Sequence, residues 1–311
     1  MTLLLTLVTH AYTIQASDRR LTYPDGSAAE ELANKATLLC QFASFAYTGL
    51  ARASRTETTD ELIMRSLSPQ NLNMTALVEN LRKELSKAMR QVPIRGTAAE
   101  RRVLRRTSVI GGGFLGLREP SEFGRQPVDD DLHPFLVAVS NAQGLDGNWK
   151  FEADQDFSVE LAFLGLGDAF RLHEAGQKLE SCERIELERD IRQCLRRRLR
   201  PEAAARLLAR AIRKVSRRNS LVGPNVMCTL IHRSLVGRTR TGFSSGMVPL
   251  LSELQRESEY FKSNGSQLSS WIYSPDESNR LIHYGPNAVC RGAMMKGLML
   301  EPAGATSMPQ P

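Results

Sequence analysis

Five cysteines in 311 residues, widely spaced and odd in number, do not make a disulfide framework. Cys40, Cys182, Cys194, Cys228 and Cys290 include no Cys-x-x-Cys. A zinc site is therefore not indicated, and a reducing, cytoplasmic setting fits best. Each reads as a small apolar side chain. The histidines at 10, 133, 173, 232 and 283 have no metal-ligand spacing, and His173-Glu174 lacks the second histidine of a zinc-protease helix. No metal and no cofactor are expected. No run approaches the ~18 apolar residues of a membrane span. The stretch Leu3–Val8 has no Lys or Arg before it and falls short of the ~7–15 residues of a signal-peptide core. Gly111-Gly112-Gly113 is not followed by Gly-Lys-Ser/Thr, so it is no phosphate loop and reads as exposed loop. Ser244-Ser245-Gly246 and Ser269-Ser270 carry no nucleophile-elbow pattern.

What is present is an ordinary globular composition, with 41% apolar and 24% charged residues. The net charge of +7 is gathered at Arg101–Arg106 and Arg196–Arg218 rather than spread along the chain. Arg206, Arg210, Arg213 and Arg217 recur at helical spacing opposite Leu208, Ala209, Ile212 and Val215. With no aromatic residue interleaved, that stripe fits a solvated face or a subunit contact better than a nucleic-acid surface.

Residues 2–9 and 12–17 read as two strands around a reversal at His10-Ala11, the first apolar on both faces. Tyr23–Ser27 is a turn by composition, and residues 36–42 and 44–49 form a second hairpin. Thr58-x-x-Glu61 has capping-box spacing and opens a helix through Leu67. Leu77, Leu81, Leu85 and Met89 mark one face of a longer helix closed by Pro93. Strands are expected at 135–139, 149–151, 158–163 and 225–232, and helices at 183–199 and 201–218, with Pro201 suited to a first turn. After about residue 235 the pattern loosens, apart from a helix-like stretch at 248–261. The expected organisation is one domain over 1–235 and a C-terminal extension over 236–311, partly ordered, with 302–311 disordered. Blocks of strands and helices favour an α+β sandwich over a doubly wound parallel sheet.

The chain starts Met1-Thr2, and an initiator methionine is readily removed before a small residue. Thr2 would then carry a hydroxyl and a free α-amine, which titrates near ~7.7–8.0 and can serve as the base for its own hydroxyl. A Thr2 held in a pocket makes a hydrolase; a Thr2 frayed into solvent carries no function. Lys35 is the other unusual residue, a cation on an apolar strand, where an unpaired ammonium is costly. It needs a partner, or it is an edge lysine snorkelling toward Glu30 or Glu31.

Several segments together carry a resemblance. They are Thr2 through Thr22 with its Asp-Arg-Arg-Leu-Thr ending, Asn34-Lys35-Ala36-Thr37-Leu38-Leu39, and Ala46-Tyr47-Thr48-Gly49-Leu50. The run from Arg200-Pro201-Glu202 to Arg218-Asn219-Ser220, with the strand after it, belongs with them. These resemble the proteasome β-type family of N-terminal-nucleophile (Ntn) hydrolases and related bacterial protease rings, over most of 2–115 and 135–235. The resemblance implies a four-layer αββα sandwich of two antiparallel sheets flanked by helices, acting as a threonine-type peptidase or amidase. Thr2 would be the nucleophile, Lys35 the cation that lowers its pKa, Asp18 the counter-ion of Lys35, and Gly49 the oxyanion donor. Arg20 and Asn219 would support them, and Arg19 is read as surface. The family's serine between two glycines, and its aspartate and serine on the late loop, match Leu166, Asn219 and Val222, which removes hydroxyl and carboxylate groups from around the amine. The implied partners are a peptide or protein substrate, further copies in a homo-oligomeric ring, and an ATP-dependent unfoldase. Two rival readings remain: a non-catalytic ring or scaffold subunit that lost the proton relay, and a basic nucleic-acid-binding protein.

Overall fold

Strand β1, Leu3–Val8, is buried along its whole length. Successive side chains of a strand point to opposite faces, so β1 must be covered on both. In the computed structural model Leu3, Leu5 and Leu7 pack with helical residues, whereas Leu4 and Val8 pack against a second sheet. The structure describes residues 2–22, 28–30, 33–39, 42–53, 57–68, 74–91, 97, 105–116, 132–148, 156–233, 270–273, 283–284, 287–290, 293–295 and 299–300.

Next in the chain come β2 (Tyr12–Asp18), β3 (Leu21–Thr22), β4 (Ala28–Glu30), β5 (Ala36–Leu39) and β6 (Ala43–Thr48), then helices α1 (Thr59–Leu67) and α2 (Met74–Gln91). Strands β7 (Ser108–Gly116), β8 (Leu132–Ser140), β9 (Ser158–Phe163) and β10 (Arg171–Gly176) precede helices α3 (Ser181–Arg196) and α4 (Pro201–Arg218). Strand β11 (Val226–His232) is followed by the short strands β12 (Ser270–Tyr273), β13 (His283–Tyr284), β14 (Asn287–Cys290), β15 (Ala293–Met295) and β16 (Met299–Leu300).

One sheet runs β10-β1-β2-β11-β12 and the other β15-β14-β5-β6-β7-β8-β9. With the helices they form an α+β sandwich. The pairing of β14 with β5 is parallel, a departure from two purely antiparallel sheets. Phe45, Val109, Phe135 and Val137 of the larger sheet share a cluster with Leu62, Leu77, Leu81 and Leu85 of α1 and α2. Ile14, Ala16 and Val226 of the smaller sheet pack with Ile191 of α3 and with Ala205, Leu208 and Ile212 of α4. Between the sheets lie Leu4, Ala46, Ile110, Leu136 and Met227.

The helices have local causes. The Thr58 N–H donates to the Glu61 carboxylate at 2.9 Å, which fastens the start of α1. Leu77, Leu81, Leu85 and Met89 give α2 its buried stripe, and Pro201 opens α4. Arg206, Arg210 and Arg217 lie on the exposed side of α4, opposite its buried apolar residues.

Several expectations need correction. Gly111-Gly112-Gly113 is not exposed loop but the buried centre of β7. The glycines are there because β6 and β8 fill the space: a Cβ on Gly111 would lie 2.4 Å from Phe45, and one on Gly113 would lie 2.0 Å from the Phe42 carbonyl. Strand β10 was not anticipated, because Arg-Leu-His-Glu-Ala-Gly contains no β-branched residue. Arg19 is 1% exposed rather than on the surface, and its Nε donates to the Ala33 carbonyl at 3.2 Å. Beyond residue 235, β12 lengthens the smaller sheet beside β11, and β14 enters the larger one with Val289 buried. The turn at 23–27, the strand at 149–151, residues 101–104 of the basic cluster, and the stretches 248–261 and 302–311 lie outside the described residues.

Candidate active site

Thr2 is 4% exposed and leads directly into β1. Two neighbours in the fold hold it by its main chain. Its carbonyl accepts from the Gln177 N–H at 2.9 Å and from the Thr48 hydroxyl at 3.4 Å. The following N–H, that of Leu3, donates to Asp18 Oδ2 at 2.9 Å. Thr2 is thus tied to the ends of β10, β6 and β2 at once.

Lys35, 2% exposed, reaches in from the residue before β5. Its Nζ donates to Thr2 Oγ1 at 2.5 Å, to the Arg20 carbonyl at 2.5 Å and to Asp18 Oδ1 at 3.3 Å. An ammonium has three protons, and three acceptors surround this one. Burial pushes Lys35 below the usual lysine range, and the Asp18 carboxylate works against that shift. The nearby positive charges of Arg19 and Arg20 push it down a little further. A cation held this close to a hydroxyl favours the alkoxide and lowers the cost of removing its proton.

Asp18 is fully buried yet well partnered. Besides Lys35 and Leu3, its carboxylate accepts from the N–H groups of Arg20 and Gly223, each at 3.1 Å. Fixed in this way, it is a firm counter-ion for Lys35. Arg20 contributes through its backbone, and its guanidinium donates to the Ser220 carbonyl at 2.6 Å.

Gly49 follows Thr48 and has φ of +111°, where a side chain is strained. A Cβ there would lie 2.2 Å from the Arg106 carbonyl. The position is restricted to glycine by both conformation and space. It also leaves the backbone open to close approach by another chain.

The accessory positions differ from expectation. Leu166 is 95% exposed, in the segment between β9 and β10. The ladder pairs Leu3 with Gly176 and Val8 with Arg171, which puts residue 166 beyond the Val8 end of β1, about 20 Å from Thr2. It cannot desolvate the Thr2 amine. The residues beside Thr2 are instead Gly176 and Gln177, at the end of β10. Gly176 has φ of +80°, and a Cβ on it would lie 2.0 Å from the Thr2 carbonyl oxygen. Asn219 donates from Nδ2 to Gln177 Oε1 at 3.0 Å and accepts the Leu221 N–H at 3.0 Å. Val222 is fully buried in the core beneath. No local signal marked Gly176 and Gln177, since β10 carries no β-branched residue.

Among the described residues no cluster of His, Cys, Asp and Glu could hold a metal ion. No helix among them is long and apolar enough to cross a membrane.

Comparison with known proteins corrects the family assignment. No family model matches the chain, and no curated protein matches it either. Among solved structures, a Gly-1 mutant of Anbu from Hyphomicrobium sp. strain MC1 is similar over 85% of this chain and all of that one, at 14% identity and a TM-score of 0.41. A likeness of that size carries no argument about this chain. Membership of the proteasome β-type family is therefore not supported. Agreement at a few spaced residues is not enough for a family model to match. Any reading of function must stand on the geometry at Thr2.

Proposed function

We propose that the chain is an N-terminal-nucleophile hydrolase of the threonine type that cleaves a peptide or amide bond. One observation carries this reading: Lys35 Nζ lies 2.5 Å from Thr2 Oγ1 and 3.3 Å from Asp18 Oδ1, with all three residues buried. A buried cation paired with a fixed carboxylate and directed at one hydroxyl marks a perturbed site rather than a surface ion pair. The reading extends to a four-layer αββα arrangement, supported by the three successive core clusters. Free thiols at Cys182, Cys194 and Cys228 are in keeping with a reducing compartment. Further copies of the chain in a ring are the partners this reading suggests.

The chemistry follows from the geometry. Removal of Met1 frees the Thr2 α-amine, which takes the Oγ proton as Oγ attacks the substrate carbonyl. Lys35 supports the negative charge on Oγ, and the Gly49 N–H is the candidate donor to the oxyanion. The C–N bond breaks, and the leaving amine takes the proton from the α-ammonium, which leaves an ester on Thr2. A water that gives its proton to the amine then attacks the ester, and Oγ recovers that proton on release. One water and one amide bond are consumed per turnover.

The rival is a non-catalytic subunit of the same fold, and a specific feature favours it. Gln177, whose N–H holds the Thr2 carbonyl, and Asn219, bonded to the Gln177 side chain, are carboxamides that neither accept nor release a proton near neutral pH. Intact mass separates the two readings. The enzyme reading requires loss of Met1 and addition of one β-lactone probe per chain at Thr2, abolished in Thr2→Ala. Met1 retained on purified protein, or a folded protein inert to the probe, would leave the non-catalytic subunit.

A further inference from the structure

We propose that the turn closing β8, Ser140–Gln143, is a positioning frame that sets the spacing between Thr2 and Gly49, with Asn141 and Gln143 as its two arms. The inference rests on the hydrolase reading, and neither residue touches the hydroxyl itself.

The Gln143 arm runs to Thr2. Gln143 is 1% exposed, and its Oε1 accepts the Gly176 N–H at 2.8 Å. Gly176 sits against the Thr2 carbonyl so closely that a Cβ would overlap it, and the next N–H, that of Gln177, holds the same oxygen at 2.9 Å. A shift of the Gln143 side chain therefore moves Gly176 and Gln177, and with them the residue bearing Oγ.

The Asn141 arm runs to Gly49. Asn141 Oδ1 accepts the Thr107 N–H at 2.8 Å, and its Nδ2 donates to the Arg105 carbonyl at 3.1 Å. The Asn141 N–H donates to the Thr107 carbonyl at 3.2 Å. Thr107 abuts the other half of the site: its hydroxyl accepts the Leu50 N–H at 3.3 Å, and Gly49 lies against Arg106 and Thr107 without room for a Cβ.

The turn is itself braced. Ser140 Oγ accepts the N–H groups of Ala142 and Gln143, each at 2.9 Å, and lies 2.6 Å from Ser108 Oγ. Two carboxamides two residues apart thus grip the two walls of the site from one rigid point. The Gln143 Nε2 is buried with no hydrogen-bond partner among the described residues. Such an uncompensated donor is costly. Its retention fits a position kept for the geometry of its Oε1.

The test uses the full chain after Met1 removal, a β-lactone probe, and intact mass to separate the maximal acylation rate from probe affinity. Gln143→Leu removes the acceptor at similar volume, and Gln143→Glu retains one. Gln143→Leu is expected to lower the maximal acylation rate roughly 10–100-fold, since misplacement by about an ångström costs on that order. Probe affinity should stay within about twofold, and Gln143→Glu should recover most of the rate. If Gln143→Leu does not fold, Asn141→Ala, at a half-buried position, carries the test. It should slow acylation with unchanged affinity through loss of oxyanion alignment. Folded Gln143→Leu or Asn141→Ala acylated at the parental rate would overturn the inference while leaving the hydrolase intact. A parent protein inert to the probe would overturn both.

Discussion

The two ends of β1 lie about 17 Å apart in one sheet and are built from opposite materials. At the Thr2 end, Thr2, Asp18 and Lys35 are buried and locked by donors and acceptors from β2, β6, β10 and the segment before β11. Beyond the Val8 end, His10 is half-exposed and makes one hydrogen bond from its ring to the Asp168 carbonyl, and Leu166 stands in solvent. Both ends are strand termini with the same need to satisfy main-chain groups. Only one places a cation, an anion and a hydroxyl where water cannot satisfy them. Burial of that kind is costly without compensation, which is why the proposed chemistry is placed at the Thr2 end.

The sharpest way to break the contrast is Lys35→Met, which keeps the volume and removes the charge. Acylation of Thr2 should fall about a thousandfold or more, as for other groups that act only on the developing charge. Because the Asp18 carboxylate is then buried without its cation, stability should also fall by about 3–5 kcal/mol, so acylation is compared at a temperature where thermal unfolding shows the variant still folded. Unchanged acylation would make the two ends chemically equivalent.

Asp18→Asn comes next. It leaves Lys35 without a counter-ion and should destabilise the fold by about 3 kcal/mol, read from denaturant midpoints. A loss below about 0.5 kcal/mol, the size of an ordinary surface change, would mean that the pair is not coupled.

Between the ends, His173 on β10 pairs across the ladder with Thr6 of β1. Burial, with help from Arg171, pushes its pKa down to about 4. The unfolded chain takes up this proton near ~6.5, before the folded one does. Stability from this group is therefore complete above ~6.5 and is lost as pH falls toward about 4, to a total of about 3 kcal/mol. His173→Gln should flatten the acid limb of a stability–pH curve; an unchanged limb would show that the histidine is already solvated. The smallest effect is expected at the open end. Leu166→Ser should alter stability by no more than about 0.5 kcal/mol and leave acylation untouched.

Much of the local structure was legible because it is locally caused. Leu77, Leu81, Leu85 and Met89 announce α2, Thr58 and Glu61 announce the start of α1, and Pro201 announces α4. Alternation on two apolar faces marks β1. Strands β7 and β10 were hidden for a physical reason. A glycine run is a strand only when neighbours such as Phe45 and Val137 crowd it, and those contacts lie far away in sequence. In the site, Lys35 stood out as a cation on an apolar strand. Gln143 and Asn141 gave no such signal, since carboxamides after a strand are ordinary turn residues.

By itself, the order of residues determined which segments bury which faces, where the helices start, and that Lys35 had either to find a partner inside or to reach solvent at an edge. The tertiary structure decided that Lys35 turns inward to Asp18 and the Thr2 hydroxyl, that Gly176 and Gln177 rather than Leu166 adjoin Thr2, and that β14 returns to lie beside β5. Pattern acts over a turn of helix or a few strand positions, whereas these choices depend on strand register and sheet order, which bring together residues separated by tens to hundreds of positions.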